Sequence, residues 1–135
     1  PVGRDEPIVS PARPEQAIRS GAGRWVNIKH GRGGGLTNAL AIHDICRKAG
    51  VGNWIGGMLE STVGQGFAIA LATLDNVKYP ADIFPTSRFY REDLGEPDLD
   101  LSGPSQMRLP DGPGTGFGPH PERLKKLTRQ KMVVR

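Results

Sequence analysis

The strongest constraint on this chain is the order of elements between residues 24 and 75: strand, glycine-rich loop, helix, strand, loop, helix. Two successive β-α units make parallel strands, because the chain must cross back over the sheet before the next strand begins. Residues 24–29, Arg-Trp-Val-Asn-Ile-Lys, alternate as a strand does, with Val26 and Ile28 on one face and Trp25, Asn27 and Lys29 on the other. The run from His30 to Gly35 is predicted as a loop. From Leu36 to Ala49, the residues Leu36, Ala39, Leu40, Ile42, Ile45, Cys46 and Ala49 recur at helical spacing. Arg47 and Lys48 suit the negative end of that helix, and Gly50 is a natural cap. Val51 to Gly57 is predicted as a second strand and about Thr62 to Leu74 as a second helix, weakened at its start by Gly64 and Gly66. The expected fold class is α/β, with a parallel sheet either open or closed into a barrel and a right-handed crossover from Lys29 to Val51.

The flanks differ from this centre. Pro7, Pro11 and Pro14 interrupt the first 24 residues and leave room for a short helix from about Arg13 to Gly21. Residues 76–118 are proline-rich and predict little regular structure, yet they carry Phe84, Phe89 and Tyr90, which favours packing over disorder. A basic helix is expected from Pro119 to about Met132, with Leu124 and Leu127 on one side. The chain has 135 residues, against about 250 for a closed eight-stranded barrel. With 19 Gly, 12 Pro and 36% hydrophobic residues, a self-sufficient core is not expected.

Charge narrows the function classes. Six cations against Glu122 alone leave +5 in residues 121–135, so the whole-chain +4 leaves −1 for the preceding 120. That distribution speaks against a nucleic-acid partner across the chain. No apolar run approaches the roughly 18 residues of a membrane span, so no membrane partner is expected. The single Cys46 excludes an internal disulfide and a Cys-x-x-Cys zinc site. The chain does not begin with Met and shows no secretory leader, and is expected to be cytoplasmic and a segment of a longer protein.

Several residues could carry chemistry. Lys29 ends a strand, where a lysine serves either as a solvated terminus or as a base or fixed cation beside developing negative charge. Asp5-Glu6 is either a surface acidic pair or a source of carboxylate for a hard divalent ion such as Mg²⁺. Gly56 and Gly57 at a strand end let backbone approach a ligand, with Met58 as an adaptable apolar wall, or form a plain turn. The Gly31–Gly35 run opens a helix but fits neither the dinucleotide fingerprint nor a P-loop. His30, His43 and His120 lack metal-ligand spacing. Ser10, Ser61 and Ser105 lack a nucleophile-elbow context, and Cys46 falls on an apolar stripe.

Taken in order, three segments carry a family resemblance: Val-Asn-Ile-Lys-His-Gly-Arg-Gly-Gly-Gly-Leu-Thr (26–37), Ile-His-Asp-Ile-Cys (42–46) and Trp-Ile-Gly-Gly-Met-Leu-Glu-Ser (54–61). Ala-Leu-Ala-Thr-Leu (70–74), Pro-Ala-Asp (80–82), Ser-Arg-Phe-Tyr (87–90) and Pro-Asp-Gly-Pro-Gly-Thr-Gly (110–116) continue it. The chain resembles the C-terminal part of the enolase superfamily, in its o-succinylbenzoate synthase and N-succinylamino acid racemase group. The resemblance implies a capping domain and a (β/α)7β TIM-type barrel, of which this chain supplies the last two or three β-α units. Residues 1–75 would be barrel and 76–135 an extension packing on the barrel and returning to the capping domain.

The resemblance also implies roles. Asp5 matches the third of three acidic ligands of Mg²⁺, with Glu6 its neighbour. Lys29 matches the catalytic lysine at the end of the seventh strand. Gly56, Gly57 and Met58 match the substrate-lining end of the eighth. A Lys-x-Lys and two further carboxylates of the family have no match here, so this chain alone is expected to be inactive. His30 departs from the proline or apolar residue often found after the lysine. Dipeptide epimerases resembling this group carry Asp-x-Asp where this chain has Gly56-Gly57-Met58, and mandelate-racemase-like members carry histidine where it has Lys29. The implied activity is abstraction of a proton α to a carboxylate of a small-molecule substrate, as a synthase of menaquinone biosynthesis first and an acylamino acid racemase second, in a homo-oligomeric full-length enzyme. A truncated remnant or stand-alone binding module is the non-enzymatic alternative.

Overall fold

In a computed structural model, residues 3–134 are described, so Pro1, Val2 and Arg135 at the limits of the expected domains lie outside them. Three short strands run parallel in the order β1 (Gly3–Arg4), β2 (Trp25–Ile28) and β3 (Gly52–Ile55). The register pairs Arg4 with Val26, Asn27 with Trp54 and Ile28 with Ile55. The predicted alternation holds in β2. Val26 and Ile28 are fully buried among Ile8, Ala39, Ile42, Cys46, Ile55, Ala68 and Leu71, which form the core between sheet and helices. Burying such side chains stabilises by about 1.5–3 kcal/mol each.

The helices are α1 (Ala12–Arg19), α2 (His30–Gly33), α3 (Leu36–Lys48) and α4 (Thr62–Ala72). In α3, Ala39, Ile42, His43 and Cys46 face the core, while Leu36 and Leu40 are about two-fifths exposed, so the buried stripe is narrower than the hydrophobic pattern. The helix closes as predicted. Gly50 takes φ +68° and donates to Arg47 O, and Val51 donates to Cys46 O, a Schellman arrangement in which only glycine adopts the turn without strain.

Two expectations are corrected. The run after Lys29 is not all loop: His30–Gly33 makes a helical turn, with the Gly33 N–H donating to Lys29 O at 2.9 Å. The turn forms because Gly34 and Gly35, at φ +90° and +101°, absorb the reversal into α3. The basic C-terminal helix, α5 (Pro121–Leu127), is half the expected length. It buries none of its residues, and no packing sustains it beyond Thr128. Two β-α units by themselves leave both sheet edges bare, yet the far edge of β3 is covered. Lys78 and Asp82 donate to Asn53 O and Ile55 O, and Asn76 O and Asp82 O accept from Asn53 and Gly57.

Part of the rest of the proline-rich stretch packs on the chain itself. Val77, Ala81 and Ile83 lie against the core. A 3-10 turn at Thr86–Arg88 precedes the short antiparallel pair β4 (Gly95–Glu96) and β5 (Gly118–Pro119). Asp93 anchors this strap: its carboxylate accepts from the Thr62 amide at 3.1 Å, the Thr62 hydroxyl at 3.1 Å and the Gly95 amide at 2.6 Å. It thereby caps α4 from outside the helix, which Ser61 does not do with its own side chain. Gly66 in α4 gives the strap room, since a Cβ there would lie 2.7 Å from Phe117 Cδ2.

Candidate active site

Asp5, Lys29 and Gly56 each follow the last residue of β1, β2 and β3, so parallel topology brings them to one end of the sheet. Lys29 is largely enclosed, its side chain 12% exposed. Its Nζ lies 3.0 Å from each Asp5 carboxylate oxygen. The contact to Oδ2 is a hydrogen bond, whereas Oδ1 is buried and has no hydrogen-bond donor among the described residues. Glu6 Oε1 is 3.6 Å from the same ammonium.

Arg32 completes the cluster. Its Nη1 lies 3.0 Å from Glu6 Oε1 and 3.9 Å from Asp5 Oδ1, and its Nη2 donates to Met58 Sδ at 3.8 Å. Hydrogen bonding from Arg32 holds the exposed Glu6 carboxyl below its ordinary range. Two cations thus face two carboxylates, a neutral set that keeps the lysine head and the acidic pair in register.

Gly56 sits where a Cβ would come within 2.5–2.7 Å of the Asn27 amide and of Lys29 Cε. Gly57 donates to Asp82 O at 2.7 Å, and a Cβ on it would lie 2.5 Å from that same backbone oxygen. Gly57→Ala is expected to cost about 1–3 kcal/mol, because backbone rather than a flexible side chain must yield. A denaturation midpoint unchanged from the unsubstituted protein would show that the Asp82 segment moves freely.

All five residues singled out from sequence, Asp5, Lys29, Gly56, Gly57 and Met58, are therefore drawn together. Sequence reading missed Arg32, hidden in a run read as loop; as one turn of helix that run places position 32 beside position 29. It also missed the contact of His30 Nε2 with Glu60 Oε1 at 3.4 Å, which ties the segments following β2 and β3. Elsewhere, Cys46 is fully buried and its thiol is pushed up by burial, which makes it core and not nucleophile. His43 is buried too, with Asp44 and Asp75 carboxylates 3.0 and 3.2 Å from its ring nitrogens.

No group of three or more His, Cys, Asp or Glu among the described residues could by itself hold a metal ion. Asp5 nonetheless suits one position of a divalent site, being a hard carboxylate whose buried Oδ1 accepts no hydrogen bond among the described residues. No helix among the described residues is long and apolar enough to cross a membrane.

Residues 1–123 match the Enolase C-terminal domain-like family. This chain belongs to that family. It is 42% identical over 134 residues to an N-succinylamino acid racemase of Amycolatopsis sp, covering 99% of this chain and 36% of that one. It is 37% identical over 129 residues to an o-succinylbenzoate synthase of Geobacillus stearothermophilus, covering 96% and 34%. Among solved structures, a dipeptide epimerase from Cytophaga hutchinsonii, complexed with Mg and the dipeptide D-Ala-L-Val, superposes with a TM-score of 0.83 at 26% identity, covering 95% of this chain and 34% of that one. The chain spans about a third of the length of the curated relatives it matches. Its three parallel strands and their helices correspond to the C-terminal part of a TIM barrel.

Proposed function

We propose that this chain supplies the Lys29 side of an enolase-type active site that removes a proton α to a carboxylate, most specifically in an o-succinylbenzoate synthase. The observation that carries the reading is the lysine ammonium held at a strand end 3.0 Å from the Asp5 carboxylate. Asp5 would be one ligand of a divalent cation such as Mg²⁺, with the remaining ligands and a partner lysine supplied by the rest of the barrel. When bound, that cation supplies positive charge to the substrate carboxylate as the α-carbon loses its proton. A lysine base paired with a divalent cation is established chemistry of the enolase superfamily.

In dehydration, Lys29 acts as a fixed cation. The opposite lysine takes the α proton, the electron pair it leaves forms the new double bond, and the β-hydroxyl departs as water by taking that same proton back from the lysine. The Lys29 charge, desolvated by its surroundings, stabilises the anion that precedes departure. Gly56 keeps the strand end open beside it, and Met58 forms an apolar wall. Residues 76–134 would extend from the barrel toward a capping domain.

A second reading, N-succinylamino acid racemase, is favoured by the 42% identity to the Amycolatopsis protein. There Lys29 itself would exchange a proton on one face of the α-carbon. The test is to assay the purified full-length protein with Mg²⁺ for both conversions, dehydration to o-succinylbenzoate and interconversion of N-succinylamino acid enantiomers. Dehydration without racemisation supports the first reading, racemisation without dehydration replaces it with the second, and conversion of neither substrate sinks both.

A further inference from the structure

Asn27 is 1% exposed, yet neither its Oδ1 nor its Nδ2 has a hydrogen-bond partner among the described residues. Buried amides are almost always paired, so an orphan of this kind calls for an explanation. Strand alternation puts Asn27 on the same face as Lys29, two residues and about 6.6 Å deeper along β2. Gly56 joins them from the neighbouring strand. A Cβ placed on it would lie 2.5 Å from Asn27 Oδ1, 2.6 Å from Nδ2 and 2.7 Å from Lys29 Cε. The amide and the last methylene of the lysine therefore both pack against the bare Gly56 backbone, closer than any side chain there would allow, and that approach exists because position 56 lacks a side chain.

We propose that Asn27 is a positioning residue for Lys29, its buried amide and the bare Gly56 backbone together setting where the lysine stem lies. The Asp5 carboxylate fixes the ammonium from one end, 3.0 Å away. Asn27 fixes the stem from below, and its open hydrogen-bonding atoms accept a polar group, such as an ordered water, that enters beside the stem. The inference rests on reading Lys29 as the working lysine, and it predicts how that lysine fails when the amide is removed.

The experiment compares the full-length protein with its Asn27→Leu and Asn27→Ala variants. The second only removes atoms and carries the same expectation if the leucine disturbs packing. The first readout needs no turnover: acylation of Lys29 by a small amine-directed reagent, followed by mass spectrometry and normalised to the exposed Lys48. Release of the stem should make Lys29 react severalfold faster in the variants, and an unchanged ratio overturns the proposal. The second readout is α-deuterium exchange into each enantiomer of an N-succinylamino acid. A displaced Lys29 should slow exchange on its own face by about 10-fold or more, since misplacement by about 1 Å can cost 10²-fold. The opposite face should keep its rate within about 2-fold. Equal losses on both faces mark a merely structural role and overturn the proposal. If the unsubstituted protein dehydrates but exchanges nothing, or converts neither substrate, the acylation ratio still decides the case for Asn27. Conversion of neither substrate counts against both readings of the function proposed above, independently of the outcome for Asn27.

Discussion

Replacing Lys29 by methionine is expected to lower turnover in the full-length enzyme about 10³-fold or more while leaving it folded. A positioned acid-base group contributes about 10²–10⁴ to a rate, and in the proposed mechanism the same ammonium would also supply charge beside the developing anion. The substitution keeps the apolar stem that fills the space beside Gly56 and removes only the charged head. Arg32 remains against Glu6 at 3.0 Å, so the acidic pair is not left without a cation and the strand ends hold together. Turnover is measured with Mg²⁺ present, alongside a thermal midpoint to show the fold intact. Lys29→Arg should not rescue, because the planar guanidinium cannot stand in for a compact ammonium at the same point. A methionine variant retaining a tenth of the original rate would remove Lys29 from the mechanism.

Asp93→Ala should destabilise the protein by about 2–4 kcal/mol, since it strands the Thr62 and Gly95 amides, whose acceptor lies 6% exposed at the start of α4. Losing this cap frees both the helix start and the strap that crosses it. Arg123 Nη1, which donates to Asp93 O at 3.0 Å, cannot replace the carboxylate. The same group gives stability a pH dependence. Burial pushes the Asp93 carboxyl up, but hydrogen bonds from Thr86, Gly95 and Thr62 outweigh it, so the net shift is downward from 3.8. A depressed folded-state value means the stabilisation is fully present above the unfolded value, about 3.9, and is lost as pH falls through the folded one. Urea midpoints of the unsubstituted and Asp93→Ala proteins should therefore lie far apart at pH 6 and converge as pH falls below 4. A constant gap across that range would mean that the carboxylate charge does not stabilise the fold.

Much of the centre was legible in the sequence because its signals are local. The alternation of Val26, Asn27, Ile28 and Lys29 depends on the pleat of one strand. The helix from Leu36 declares itself by spacing and by the Gly50 cap. Parallel pairing then follows from two consecutive β-α units, and it places Lys29 and Gly56 at one end, whereas Asp5 after a strand was implied only by the family resemblance. The misreadings arise where structure depends on distant partners. A run with four glycines out of six residues reads as loop, yet His30–Gly33 becomes helical once Gly34 and Gly35 turn the chain. The stretch after Asn76 has no periodicity, and its order comes from backbone pairing with β3 and from Asp93 reaching Thr62, 31 residues away.

The sequence by itself thus determined the order of the two central strands and their helices, the faces of β2, and that Lys29 and Gly56 arrive at strand ends, because each follows from repeats of two or about four residues. Only the tertiary structure decided that Arg32 bridges Glu6 and Met58, that Asn27 is buried without a partner beside Lys29, and that a proline-rich strap closes one sheet edge and caps α4. Those outcomes depend on which atoms meet across strands and loops, and no local pattern encodes that meeting.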